Sequence, residues 1–311
     1  MIFFMLQIEN ELLSFYKNEK TKVAIKVGNK IREVMGNFLH SMGFIEIPPV
    51  IISPFTDPLS HETIEAKIRY YENDFYLTKS MIFHKQIALL SFEKIFSFSP
   101  NVRLEKMEKS ATGKHLIEFT QLDVEARNAK REDMMKIVEK MIFNVIKEIE
   151  KGEEADKIER VPKLPSIPFE RIKFEEAYCE YGENYEDEIS NEAEEPVWII
   201  DFPIWKREFY DREYEENAGI LADMDLIYPE GFGEALSGGE REYKYDRILE
   251  RMRKSGIDTR TYSNYLMMAK YLYPSAGFGI GIERLTRYIC GFKEIKYANL
   301  FPKIPGEYAY F

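Results

Sequence analysis

Toward its end the chain reads PSAGFGIGIER, in which glycines 277, 279 and 281 alternate as residues of a β-strand do. Alternate residues of a strand share a face, so one face of this strand is bare backbone. Something must approach that backbone closely, either a ligand or a packed helix. Arg284 follows in the first turn of the next helix, where dipole and guanidinium together favour an anion. The third glycine comes too early for the dinucleotide-binding pattern G-x-G-x-x-G.

A hairpin lies upstream. Its strands are IFSFSPNVRLE (95–105) and LIEFTQLDVEA (116–126), joined by the charged loop KMEKSATGKH. Alternation places Val102 and Leu104 on one face of the first strand, with Arg103 and Glu105 on the other. In the second strand Leu122 and Val124 share a face, opposite Phe119, Gln121 and Asp123. The polar face is either solvated surface or a site, and a phenylalanine among its charges favours a site. A third stretch, DMDLIYPEGFGEALSGGEREYKYD (223–246), sets Glu234 and Ser237 close together before Gly238, Gly239 and Arg241. It reads either as a glycine-punctuated turn or as hard oxygen ligands suited to Mg²⁺ on a phosphate-bearing substrate.

Apolar positions at Val27, Ile31, Val34, Phe38 and Met42 predict a helix over 21–42, closed by Gly43. FIEIPPVIIS follows as a strand whose prolines force an edge or a bulge. A second helical stripe runs through Met134, Val138, Met141, Val145 and Ile149. Residues 151–195 are rich in Glu, Lys and Pro with poor periodicity, which predicts a surface excursion within one domain spanning 1–311. Close hairpins outnumber βαβ units, so the expectation is α+β: a mostly antiparallel sheet with flanking helices. A formal net charge of −11 leaves no basic footprint for loose nucleic-acid binding. The two cysteines stand far apart and without ligand-like neighbours, which fits a reducing cytosol. The N-terminal apolar run is broken at Gln7, Glu9 and Glu11, so neither a signal peptide nor a spanning helix is expected. A cytoplasmic protein without a membrane partner is the expectation.

Taken together, these segments resemble the catalytic core of class II aminoacyl-tRNA synthetases, of the aspartyl and asparaginyl type. IREVMGNFLHSMGFIEIPPV looks like motif 1, with Pro49 at the position of its proline. VRLE with KHLIEFTQLDVE resembles motif 2, and GFGIGIERL through LFPKIPG resembles motif 3. The resemblance implies ATP and Mg²⁺ as cofactors. It assigns Arg103 to the α-phosphate, Phe119 to stacking on adenine, Glu105 to the adenine amino group, and His115 and Arg284 to the outer phosphates. Gly281 falls in the ATP site, and Glu234 and Ser237 would hold Mg²⁺. TKSMIFHKQ is similar to the aspartyl enzymes' Q-S-P-Q-L-[YF]-K-Q, which makes Ser80 and Lys85 substrate-binding residues. Lys85 falls on the lysine that grips a carboxylate, with Arg241 as its partner, while Gln121 and Asp123 face the amino acid. Arg103 and Arg284 are the implied catalytic residues, and motif 1 implies a homodimer.

Two departures bear on the acceptor. Only about 20 residues precede motif 1, where tRNA-charging relatives carry an anticodon-reading OB-fold of roughly 100 residues. Ile82 replaces the usual glutamine, and PLSHETIEAKIRYY replaces the glycine-rich closing loop. The pattern resembles the archaeal asparagine synthetases related to asparaginyl-tRNA synthetase. The expectation is therefore adenylation of aspartate followed by amidation with free ammonia, AMP and pyrophosphate being released. A truncated synthetase charging tRNA or another acceptor is the alternative, and a non-catalytic regulatory paralogue a third; tRNA is not the expected partner.

Overall fold

The computed structural model describes residues 2–59 and 61–311, with side chains from residue 6 onward. Two helices open the chain, α1 (Ile2–Lys17) and α2 (Glu19–Ser41). Asn18 separates them and caps the second, its side chain accepting the Lys20 N–H. The buried stripe of α2 runs through Val27, Ile31, Met35 and Leu39; Val34, Phe38 and Met42 flank it half-buried. Gly43, at φ +81°, ends the helix as expected. The strand expected over FIEIPPVIIS is broken in two, β1 (Ile45–Glu46) and β2 (Ile52–Ser53), in different sheets. Pro48 and Pro49 stand in the gap, and neither can donate to a ladder.

β3 (Lys67–Tyr70) and β4 (Asn73–Leu77) complete a small sheet with β2, and α3 (Ile82–Ala88) follows. β5 (Lys94–Val102) and β6 (Glu118–Arg127) form the expected hairpin, although β5 ends before Arg103 and Glu105. Next comes α4 (Arg131–Glu150), whose predicted stripe is buried throughout. The rest of the chain forms β7 (Glu170–Lys173), α5 (Phe174–Tyr181), α6 (Tyr185–Glu192), β8 (Val197–Ile200) and β9 (Asp223–Tyr228). It ends through β10 (Gly233–Arg241), α7 (Tyr245–Lys254), α8 (Ser263–Ala269), β11 (Ser275–Gly281) and α9 (Ile282–Cys290).

Among the described residues the main sheet has eight strands in the order β1-β5-β6-β11-β10-β9-β8-β7. Its inner pairings are antiparallel, and only the two edge strands, β1 and β7, run parallel to their neighbours. This is the mostly antiparallel α+β arrangement expected. α2, α4 and α9 cover one face, packing against Phe96, Leu122, Val124, Phe278 and Ile280. Burial of that many apolar side chains, at roughly 25 cal/mol per Å², stabilises the layer. The opposite face carries the polar residues and remains open as a cleft. Beside it an aromatic cluster of Phe55, Phe83, Phe209, Tyr262 and Tyr265 clamps α3.

The surface excursion expected over 151–195 is corrected from residue 169 onward. β7 is the edge strand of the main sheet, and Phe174, Ala177, Tyr185 and Ile189 pack against β8. A four-residue strand and two eight-residue helices are too short to show a period, which is why the sequence looked irregular. Among the described residues no helix is long and apolar enough to cross a membrane.

Candidate active site

The open face is built from cross-strand rungs. One rung aligns Ser97, Asp123, Gly279, Ser237 and Asp225 across five strands; the next aligns Glu125, Gly277, Gly239 and Asp223. Glu234 and Ser237 are three residues apart and would point to opposite faces of a regular strand. A bulge between Glu234 and Leu236 inserts one residue and turns both toward the cleft. The bare glycine face is filled chiefly by side chains of β6, which neither alternative for it had foreseen. A methyl group on Gly279 would overlap the Gln121 amide, and one on Gly277 the Glu125 carboxylate and the Val124 carbonyl. Gly281 differs: a Cβ there would meet only the Arg284 stem, at 3.7 Å, so protein packing does not require a glycine.

Buried acids line this face, and three cations interleave with them. Lys85, on α3, places Nζ 2.9 Å from Asp123 Oδ1 and 3.7 Å from Glu125 Oε2, and donates to the Phe278 carbonyl. Arg241 lies 3.4 Å from Glu125 and 2.9 Å from Asp211, and donates to the Gly277 carbonyl. Glu125 is thus shared between the two cations expected to act as a clamp. Arg207 pairs with Asp223 and Asp225, each at 2.7 Å. Burial pushes the Asp223 carboxyl up to about 7 against the pull of Arg207, and raises Asp225 and Asp211 as well. Asp225 is buried with its Oδ1 lacking any hydrogen-bond partner. Burial, then Glu234 and Asp225, push Glu186 of α6 up to about 7.

Past the end of β5 the Arg103 guanidinium lies 5.2 Å from the Phe119 ring centroid, and its Nε donates to the Lys79 carbonyl. Glu105 meets His61 at 2.9 Å. Arg284 holds Glu234 at 2.9 Å; burial raises that carboxyl, but Arg284 outweighs it and keeps it below the usual range. His115 hydrogen-bonds Thr112; burial, then Arg284 and Lys109, depress its pKa to about 4. At neutral pH it is therefore an uncharged donor or acceptor rather than a cation. Ser80 donates to Asp57 at 2.7 Å, and Gln121 accepts from Asn101 at 2.6 Å.

All thirteen residues singled out from the sequence line one cavity of about 560 Å³: Ser80, Lys85, Arg103, Glu105, His115, Phe119, Gln121, Asp123, Glu234, Ser237, Arg241, Gly281 and Arg284. Sequence reasoning missed Asp57, His61, Glu186, Arg207, Asp211 and Asp225, which line it too. Asp225 lay within a segment already suspected, one alternation from Asp223. The others sit in stretches without periodicity. For Mg²⁺ the donor chemistry fits: two carboxylates and a hydroxyl on adjacent strands, one buried oxygen still unpartnered. Among the described residues no three His, Cys, Asp or Glu side chains form a closed metal cage, so such an ion would depend on nucleotide oxygens.

The profile of the family tRNA synthetases class II (D, K and N) matches residues 5–305. The asparagine–tRNA ligase of Thermococcus gammatolerans is 28% identical over 311 residues, covering 94% of this chain and 71% of the relative. That of Thermococcus kodakarensis is also 28% identical, over 312 residues, with the same coverage. Among solved structures, asparaginyl-tRNA synthetase from Pyrococcus horikoshii complexed with asparaginyl-adenylate matches with a TM-score of 0.86 at 27% identity, over 94% of this chain and 71% of that one. The Entamoeba histolytica asparaginyl-tRNA synthetase with asparaginyl-adenylate gives 0.82 at 26% identity, over 93% and 68%. With the family profile matching nearly the whole length and the fold shared, the chain belongs to the class II tRNA synthetases of the D, K and N family.

Proposed function

We propose that this core joins aspartate and ATP into aspartyl-adenylate, releasing pyrophosphate. The observation that carries the reading is Lys85, 4% exposed on the cavity floor and sharing Glu125 with Arg241. In this structure the two cations face three carboxylates, Asp123, Glu125 and Asp211. A lone anion entering there would be repelled, whereas a zwitterion can exchange partners. Its carboxylate takes Lys85 from Asp123, and its ammonium takes Asp123 from Lys85. Aspartate then offers its second carboxylate to the nucleotide.

The chemistry needs no base and no covalent enzyme intermediate. A carboxylate oxygen bonds to the α-phosphorus as the bond to the β-phosphate oxygen breaks, and pyrophosphate departs in line. Arg103 would neutralise charge gathering on the α-phosphoryl oxygens, with Arg284 and an uncharged His115 on the outer phosphates. Glu234, Ser237 and Asp225 would hold Mg²⁺, which when bound offsets phosphate charge. Lys85, Arg241 and Asp123 contribute positioning. The exposed Ile45, Ile51 and Ile52, which follow α2 along the chain, fit the homodimer implied by motif 1, for which sedimentation at twice the chain mass is expected.

The acceptor divides two readings. Transfer to tRNA is the one the comparisons favour, since the matched curated relatives are named asparagine–tRNA ligases, a name that carries asparagine rather than aspartate. tRNA thus stands as a leading candidate partner, contrary to the sequence expectation. Amidation is the second reading, and it depends on how aspartate is oriented. If Lys85 and Arg241 hold the α-carboxylate, ammonia attacking β-aspartyl-adenylate gives asparagine and AMP. The test is product analysis with labelled aspartate, ATP and Mg²⁺, adding ammonium or tRNA. Asparagine without RNA establishes amidation, and label on RNA alone establishes tRNA transfer. If no pyrophosphate appears under either condition, the activation reading fails.

A further inference from the structure

The segment between β2 and β3 lines the cavity through Asp57, Leu59 and His61, and its ends are fastened. Asp57 accepts from Ser80 at 2.7 Å and from the Tyr210 hydroxyl at 3.0 Å. Ile64 N–H donates to the Leu104 carbonyl at 2.9 Å, and Glu62 pairs with Lys106 at 2.5 Å. Between these anchors His61 Nε2 lies 2.9 Å from Glu105 Oε1, across 44 residues of sequence.

The two partners differ in exposure: 42% for the His61 side chain and 5% for that of Glu105. Burial raises the Glu105 carboxyl, but the hydrogen bond from His61, together with the neighbouring positive groups including Arg103, outweighs it and holds it below its usual range. The carboxylate is therefore ionised and can only accept, so His61 Nε2 carries the proton. That bond engages Oε1 and fixes the carboxylate plane. Among the described residues nothing donates to Oε2, although Glu105 lines the cavity.

We propose that His61 is a positioning residue for base selection, holding Glu105 so that its second oxygen accepts the exocyclic amino group of adenine. The inference rests on the nucleotide-activating reading above and deepens it. A fixed carboxylate accepts from a 6-amino purine but opposes the carbonyl of a 6-oxo purine, acceptor against acceptor. A purine with hydrogen at that position leaves the buried oxygen unpaired.

The test compares binding of ATP and of purine riboside triphosphate, which lacks the 6-amino group, by calorimetry that needs no turnover. The proteins are the wild type, His61→Ala and His61→Gln. Wild type is expected to prefer ATP by about tenfold or more, about 1.4 kcal/mol. His61→Ala should weaken ATP about tenfold and leave the other nucleotide unchanged. His61→Gln, which keeps an N–H donor, should restore most of the preference. A wild type without the preference, a His61→Ala that binds ATP normally, or equal weakening of both nucleotides each overturns the proposal. Aspartate-dependent pyrophosphate exchange run alongside separates the two failures: exchange without a His61 effect sinks only this inference, whereas ATP binding without exchange sinks the activation reading.

Discussion

Replacing Lys85 with methionine keeps most of the apolar stem and deletes the ammonium. The charge it removes is 4% exposed, 2.9 Å from Asp123 and 3.7 Å from Glu125. At an effective dielectric near 20 the Asp123 contact alone amounts to about 6 kcal/mol of gross Coulomb attraction. The net loss is smaller, because burying both charges was costly; breaking such a pair from one side costs about 3–5 kcal/mol. Arg241 remains 3.4 Å from Glu125 and Asp123 keeps the Ser99 hydroxyl, and this remaining compensation places the loss near the lower bound. Lys85→Met should therefore unfold at lower urea, by about 3 kcal/mol. Its aspartate KM in ATP–pyrophosphate exchange should rise at least about thirtyfold, about 2 kcal/mol. The double variant Lys85→Met/Asp123→Asn removes the orphaned charge; it should regain most of the stability and none of the affinity. A single variant with wild-type stability and wild-type KM, or a double variant no more stable than the single, would refute the reasoning. The sequence alone had pointed to an effect mainly on aspartate binding; the buried pair adds a stability cost.

Gly277→Ala should destabilise more than Gly279→Ala, by roughly 1–3 kcal/mol in chemical unfolding, because the methyl meets the fixed Val124 carbonyl rather than the movable Gln121 amide; the reverse order contradicts the packing described. For His115 the folded pKa, about 4, lies below the ordinary 6.5, so the unfolded chain binds more protons between them. Its stability contribution is present above 6.5 and lost as pH falls toward 4, and His115→Gln should flatten that slope. Phosphates near the ring raise its pKa, so ATP binding at about pH 5 should take up protons in calorimetry across buffers of different ionisation heat; proton release contradicts this. Arg103→Ala should lower kcat for exchange by about 10²–10³ and change the aspartate KM far less, whereas a pure KM effect would remove Arg103 from the reacting phosphate.

Where side chains alternate, the sequence was legible down to the face. Leu122 and Val124 are buried in the core, and Phe119, Gln121 and Asp123 line the cleft. The same alternation in IFSFSPN placed Ser97, Ser99 and Asn101 opposite Phe96 and Phe98, a signal present but unread. Spacing could not bring Glu234 and Ser237 to one face, because that depends on a bulge, and a bulge leaves no periodic trace. Nor could it supply partners for the cations. Arg207 and Asp211 belong to an aperiodic stretch between β8 and β9, and His61 and Glu105 meet only through tertiary closure. The glycine strand illustrates both sides: its bareness was plain, but Gln121 and Glu125 as the groups filling it depend on register.

The central claim is the identity of the acid being activated, and ATP–pyrophosphate exchange by the purified protein, with aspartate or asparagine as the sole amino acid, tests it without reference to any acceptor. The account predicts rapid exchange with aspartate and background exchange with asparagine: if Lys85 and Arg241 hold the side-chain carboxylate an amide does not replace it, and if they hold the α-carboxylate asparagine has only an amide to offer the nucleotide. Exchange supported by asparagine and not by aspartate would contradict it.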